Sequence, residues 1–436
     1  MPERPANSAA PPRVRSLIGG AVGNLIEFYD WLAFSTFSLY FAPAFFPADS
    51  PTAQLMNTAG VFAVGYLMRP LGAVFFGWYA DRQGRRAALT LSVLMMCGGA
   101  LAIALIPTYS SLGVAAPILL LVARLFQGLS VGGEYGASAA YLMEVAPLER
   151  RGFFVSFHYV TLLAGQLAAI LVLVVLQYLL LTPAQLSAWG WRIPFAIGAL
   201  LALAALFIRR RIVESPDFEA HVAHRRLGNP LGLLLQYRRQ LALVAGMTVG
   251  GTVAVNTFSV YMPKFLVNTA GFSKEQSTLM SLLMIICFMA MQPLIGALSD
   301  RIGRRPILLA FSVCGVLFTV PLLRAIASTH SVALAMTLVL LALLIATGYS
   351  GVNALVKAEL FPVEVRAAGI GIPYAAVVAL FGGSTEYLGL YFKRAGWEQG
   401  YYYYITACIF VSLVANLFMS ETAPHAWTAP SRDESC

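Results

Sequence analysis

Gly77-Trp78-Tyr79-Ala80-Asp81-Arg82-Gln83-Gly84-Arg85-Arg86 and Gly296-Ala297-Leu298-Ser299-Asp300-Arg301-Ile302-Gly303-Arg304-Arg305 are two copies of one pattern, G-x-x-x-D-R-x-G-R-R. Each copy separates two long apolar runs, so each reads as a short charged hairpin between membrane-spanning helices. A second pair repeats the order: Glu144-x-x-Pro147-x-Glu149-x-Arg151 and Glu359-x-x-Pro362-x-Glu364-x-Arg366. The offsets, 300 − 81 = 219 and 359 − 144 = 215 residues, nearly agree. Two motifs in the same order at nearly one offset mean two homologous halves. In a membrane that architecture commonly serves transport, with the site where the halves meet.

Of the 436 residues, 59% are hydrophobic and 11% charged, with a mean hydropathy of +0.74; in soluble domains roughly a quarter are charged. A bilayer core takes about 20 apolar residues per helix. The apolar runs divide into spans at 17–46, 53–80, 87–106, 114–144, 153–181, 190–209, 239–266, 275–299, 306–327, 331–360, 367–393 and 398–420. The expected fold class is an all-α membrane protein of twelve transmembrane helices in two six-helix pseudo-symmetric bundles. Residues 1–16 form a tail, 17–210 the first bundle, 211–238 an inter-bundle loop, 239–420 the second bundle and 421–436 a second tail. Within the loop, Glu214-Ser215-Pro216-Asp217 has the pattern of a surface-helix start.

The net charge of +9 would suggest an acidic partner if its distribution were ignored. With the spans alternating, 20 of the 29 Lys and Arg fall on the side of the N-terminus; Lys264, Lys274, Arg324, Lys393, Arg394 and Arg192 fall opposite. The positive-inside bias places both termini in the cytoplasm. Basicity here is a topology signal, and no nucleic-acid partner is expected. The first apolar run carries Glu27 and Asp30 and no evident cleavage site, so it reads as a retained helix. The five cysteines show neither disulfide nor metal spacing.

Ionisable residues inside spans cost several kcal/mol and by default mark an ion or substrate path. Asn24, Glu27 and Asp30 line one face of the first helix; Arg69 is on the second. On the fourth, Arg124, Gln127, Val131, Glu134 and Ser138 step by three or four to make a polar face. At about 1.5 Å per residue, Asp30 and Arg124 both come near the midplane and can pair. Three acids against two guanidiniums leave one negative charge in excess, so one acid should take up a proton readily. A freed Arg124 fork suits a carboxylate. A purely structural ion pair is the alternative, as is structural pairing of Arg69 with Glu134.

In the second half, Asn256, Tyr261, Gln292, Asn353, Lys357, Tyr374 and Glu386 are candidates to line a cavity. Lys357 is near enough to the cytoplasmic end to snorkel into water and serve a gate. Tyr401 to Tyr404 read as an aromatic belt at the outer interface. His158, on the fifth helix, is held in reserve as a proton carrier. The repeated loops need more than topology to explain them, because charge alone would not demand a fixed Asp and Gly. Gly84 and Gly303 permit a tight turn. Asp81 and Asp300 can accept hydrogen bonds from arginines or cap a helix, locking the cytoplasmic side.

The loops closely resemble the signature of the major facilitator superfamily. Arg69-Pro70-Leu71-Gly72, the run Arg124-Leu125-Phe126-Gln127-Gly128-Leu129-Ser130-Val131-Gly132-Gly133-Glu134-Tyr135-Gly136 and Trp189-Gly190-Trp191-Arg192-Ile193-Pro194-Phe195 are similar, more narrowly, to its metabolite:proton symporter family. That group imports dicarboxylates, α-ketoglutarate, citrate, shikimate and proline or betaine into bacteria. Leu266-Val267-Asn268-Thr269-Ala270-Gly271, Lys357-Ala358-Glu359 and Phe381-Gly382-Gly383-Ser384-x-Glu386-Tyr387 are most similar to its α-ketoglutarate carriers. Gln83 departs, standing where one such carrier has His, so any gating or coupling by that His is done differently here.

The resemblance implies proton-coupled import of a small dicarboxylate, α-ketoglutarate or a related keto acid, by alternating access across a bacterial inner (plasma) membrane. Asp30, with Arg124, Glu27 and Glu134, would couple the proton. Arg124, Arg69, Asn24, Gln127, Asn256, Asn353 and Tyr374 would bind substrate. Asp81, Gly84, Arg85, Glu144, Arg151, Asp300, Gly303, Arg304, Glu359 and Arg366 would form the gate. The expected partners are a small organic anion, protons and lipid, with a monomeric chain and no cofactor beyond the proton gradient. Since one charge moved through 100 mV is worth about 2.3 kcal/mol, a dianion needs two or more protons for uptake. A proline or betaine carrier is the alternative within the class, and a transporter-like sensor outside it. No H-E-x-x-H, nucleophile elbow or phosphate loop suggests an enzyme.

Overall fold

Backbone groups in lipid must bond within their own segment, so apolar runs of this length have little choice but to be helical. The computed structural model describes residues 14–48, 50–83, 85–131, 134–210, 236–363 and 365–423, and no strand occurs among them. The first-half spans are Val14–Phe45, Pro51–Gln83, Arg85–Leu105, a fourth in two pieces (Ala115–Ser130, Glu134–Val145), Arg151–Val175 and Ile193–Arg210. The second half has Arg238–Val255 continuing to Asn268, Lys274–Ile302, Arg304–Ser328, a tenth in two pieces (Val332–Ser350, Asn353–Glu359), Arg366–Val377 continuing to Arg394, and Glu398–Phe418. Twelve spans are therefore present among the described residues, eight of them helices long and apolar enough on their own to cross a membrane. The inter-bundle loop and its surface helix lie outside the described residues over 211–235.

The tenth span departs from the continuous helix expected over 331–360, and the fourth is described over Ala115–Ser130 and Glu134–Val145. The tenth is divided at Gly351-Val352. Wider, π-type turns at Asn256–Tyr261 and Val378–Gly382 interrupt the seventh and eleventh spans. Such turns free or re-aim backbone groups, which lipid tolerates only inside the protein.

Glycines bring the second and fourth spans together. A Cβ on Gly128 would lie 2.1 Å from the carbonyl oxygen of Gly65, and one on Gly72 would lie 2.0 Å from that of Leu129. Backbones this close leave no room for side chains at the crossing and set Arg69 and Arg124 in neighbouring positions. Across the halves, the fifth span packs along the eighth and the second along the eleventh. At the end of the spans that carries the repeated motifs, Ala139, Met143 and Val155 share an apolar cluster with Leu355, Ala358 and Phe361.

Candidate functional site

At the centre of the first half, Asp30 and Arg124 are linked indirectly, in place of the direct pair expected from depth. Gln127 Nε2 donates to Asp30 Oδ2 at 2.6 Å, and Arg124 Nη1 donates to Gln127 Oε1 at 2.8 Å. Arg124 and Gln127 have no exposed surface and Asp30 only 2%. The second carboxylate oxygen, Asp30 Oδ1, has no hydrogen-bond partner among the described residues. It faces the sixth span at Gly198, where a Cβ would come within 2.8 Å of it. A carboxylate with one oxygen bonded and the other open can accept a proton without first breaking its hydrogen bond from Gln127.

Arg124 is held by aromatic faces: its guanidinium carbon lies 4.1 Å from the Trp31 ring centre and 4.4 Å from that of Phe34. Arg69 shares Trp31, at 4.2 Å, and lies 4.3 Å from Tyr66. Each such contact contributes roughly 0.5–2 kcal/mol, but a ring accepts no in-plane N–H bond. Nε and Nη2 of both arginines accordingly lack partners among the described residues. Two adjacent forks with open donors in a buried place suit a carboxylate. Asn24, also buried, donates to Thr161 at 2.8 Å; Glu27 is buried on the same helix. The side chain of Glu134 lies outside the described residues.

In the second half, Asn353 is buried and accepts from the hydroxyl of first-half Tyr135 at 2.6 Å. Tyr374 stacks on Tyr135 with ring centres 3.6 Å apart. Asn256 donates to the Thr252 carbonyl at 2.9 Å and borders Gly382. Lys357 does not snorkel: none of its surface is exposed, because the short piece Asn353–Glu359 turns it inward among tyrosines. Gln292 is equally buried and accepts from Ser350 at 2.9 Å.

The second copies of the repeated motifs tie the two halves together at one end of the spans. Asp300 accepts from the backbone N–H of Gly152 at 2.7 Å and of Phe153 at 2.9 Å, capping the fifth span across the interface, and pairs with Arg304 at 3.0 Å. Arg304 is fully buried and lies 3.6 Å from Glu359. Arg366 joins the halves by donating to Glu144 at 2.8 Å. Gly303 has φ 98°, as its turn requires. Arg151 Nε has no partner among the described residues. Gly84 and the side chains of Asp81 and Arg85 lie outside them.

One member of this network went unforeseen. Glu421 accepts from the N–H groups of Arg304 at 2.8 Å and Arg305 at 3.0 Å, capping the ninth span. It stood in what read as a tail.

A second set of contacts joins the halves at the opposite end of the spans. Lys264, expected on the outer surface, is 1% exposed, pairs with Glu386 at 2.7 Å and donates to Ser35 of the first half at 2.6 Å. Ser35 in turn donates to Glu386 at 3.0 Å. Glu386 is thus committed to an ion pair instead of facing an open cavity. Lys274 donates to the Leu39 carbonyl at 2.8 Å and Thr52 to Asn268 at 3.2 Å, further links between the halves. The aromatic belt is corrected: Tyr401 and Tyr402 are buried, Tyr401 bonding Thr257, and Tyr261 packs in the same core, while Tyr403 is exposed. Period 3.6 turns two of four consecutive tyrosines inward.

Residues 21–384 match the family model described as Major Facilitator Superfamily. The chain is 48% identical to the alpha-ketoglutarate permease of Escherichia coli K12 over 407 residues, covering 93% of this chain and 94% of that one. It is 36% identical to the citrate-proton symporter of Klebsiella pneumoniae, covering 87% of each. A crystal structure of a D-xylose-proton symporter superposes with a TM-score of 0.72 at 20% identity, covering 95% of this chain and 98% of that one, a likeness of fold.

Proposed function

Because this chain belongs to the Major Facilitator Superfamily, we propose that it imports a small dicarboxylate, α-ketoglutarate or a related keto acid, together with protons, by alternating access. The observation that carries this reading is the buried chain Asp30–Gln127–Arg124 beside Arg69, with a carboxylate oxygen at one end and guanidinium donors at the other that have no partner among the described residues. Protonation of Asp30 weakens its hold, through Gln127, on Arg124. The guanidinium then turns its full charge toward a substrate carboxylate, so proton and anion favour each other's binding. Identity to the permease, at 48%, supports the keto diacid.

The closed contacts at both ends fit an occluded stage of the cycle. Opening inward would break Asp300 from the fifth span and Arg366 from Glu144; opening outward would separate Ser35 from Lys264 and Glu386. A dianion works against an inside-negative potential unless two or more protons accompany it. The proton gradient supplies the energy with no cofactor, the chain acts as a monomer, and both termini face the cytoplasm.

Uptake of labelled α-ketoglutarate into proteoliposomes, with and without an imposed inward proton gradient, tests the reading. Gradient-dependent accumulation that unlabelled α-ketoglutarate suppresses, and proline or betaine does not, is the expected result. Uptake indifferent to the gradient, or suppressed by proline or betaine instead, overturns it.

A further inference from the structure

Lys357 has no exposed surface and makes no ion pair among the described residues. Its ammonium donates to the hydroxyl of Tyr349 at 3.0 Å and to Asn353 Oδ1 at 3.2 Å, both neutral oxygens. Around it stand the rings of Tyr374 at 4.4 Å, Tyr349 at 5.2 Å and Tyr135 at 5.7 Å. An ammonium has three N–H donors, and two neutral acceptors do not replace its water. Ring faces recover part of the loss, but burying a charge without a countercharge remains expensive. A lysine maintained under those conditions inside a membrane protein calls for an anion that arrives from outside.

The position says which anion. Tyr374 forms one wall around Lys357 and packs on the aromatic cluster containing Trp31 and Tyr66. Those two rings carry Arg69 and Arg124. The first-half guanidiniums and the second-half ammonium therefore border one connected apolar cluster, and the Tyr135–Tyr374 stack, one ring from each half, stands beside the ammonium. We propose that Lys357 is the anchor for the second carboxylate of a diacid whose first carboxylate is held by Arg124 and Arg69, so that the substrate spans the two halves.

This deepens the proposed function and rests on it. A monoacid of the same chain length engages the arginines and leaves Lys357 buried without a countercharge, so discrimination against it follows from an unpaired charge more than from shape. A diacid pulls the halves together at the moment it neutralises the lysine.

The test compares α-ketoglutarate with 2-oxopentanoate, which has a methyl group in place of the distal carboxylate, in binding to purified full-length protein. Wild type should prefer the diacid by roughly tenfold or more. Lys357→Met should lose that preference by weakening the diacid alone, with 2-oxopentanoate affinity kept within about threefold, and Lys357→Arg should keep it. A Lys357→Met protein that retains the wild-type preference, or weakens both acids alike, overturns the anchor. If Lys357→Met cannot be purified folded, Lys357→Arg decides: a retained preference supports the anchor and a lost one overturns it. A wild type with no affinity for either acid overturns the proposed function itself, an outcome distinct from a preference that survives in Lys357→Met.

Discussion

Gly152 and Gly296 meet backbone to backbone across the interface between the halves: a Cβ on Gly152 would lie 2.3 Å from the Gly296 carbonyl oxygen, and one on Gly296 would lie 2.4 Å from that of Gly152. Gly296 is the first residue of the second G-x-x-x-D-R-x-G-R-R copy, so the motif's leading glycine has a packing reason. It lets the fifth and eighth spans touch where Asp300 caps the fifth. Gly152→Ala or Gly296→Ala should hold that side open, at about 1–3 kcal/mol of overpacking, and slow uptake roughly tenfold or more. In a background without the native cysteines, Ser156→Cys should become more reactive to a cytoplasmic thiol reagent. Unchanged labelling together with normal uptake would count against the contact as a closing surface.

Asp300→Asn removes charge from the two amides of the fifth span and from Arg304. A carboxylate at a helix N-terminus contributes about 0.3–2 kcal/mol, so the closed cytoplasmic side should be less populated by a few-fold to tenfold. The same Ser156→Cys labelling measures it. Faster labelling is expected; slower labelling would contradict the capping role.

Asp30→Asn keeps a hydrogen-bonding oxygen toward Gln127 but cannot exchange a proton. It should abolish accumulation against a gradient while sparing exchange of internal for external substrate. Active accumulation by this variant would remove Asp30 from the coupling step.

Lys264 and Glu386 form a buried pair whose separation leaves one charge uncompensated. Glu386→Gln should destabilise the protein by roughly 3–5 kcal/mol. Removing both charges, with Lys264→Met added, should recover most of that stability. Thermal unfolding in detergent reads the cycle, and a double variant no more stable than Glu386→Gln alone would refute the coupling.

Glu421 titrates outside the spans. Burial raises its carboxyl, but the backbone N–H groups of Arg304, Ala423, Arg305 and Thr422 outweigh it, so the folded value lies below the ordinary 4.5. A group depressed on folding adds stability above its unfolded value, and that stability is lost as pH falls through the folded one. Glu421→Gln should therefore melt lower than wild type at pH 7, with the gap closing below pH 4.5 as wild type loses its own carboxylate. A gap that persists under acid would point to packing.

Duplication, the twelve spans and the charged hairpins between them were legible in the chain because lipid leaves the backbone one solution and the hairpins repeat the same charged pattern. Asp30, Arg124 and Gln127 were legible because a charge inside an apolar run is costly to keep unless it serves an ion or ligand path. Less could be read in the second half. Lys264 and Lys357 lie close enough to span ends that the sequence permits either water or burial, and only packing decides between them. Glu386 belonged to a pair whose other member, Lys264, sits 122 residues away.

By itself the sequence determined where the chain crosses the membrane and which side is basic, since hydropathy and charge act locally along each segment. Only the tertiary structure decided that Gln127 stands between Asp30 and Arg124, that Asp300 reaches the amides of Gly152 and Phe153, and that Lys357 is enclosed by tyrosines of both halves. Those relations join residues of different spans, and distances between spans are set by close glycine contacts and side-chain volume, to which a periodicity along one helix is blind.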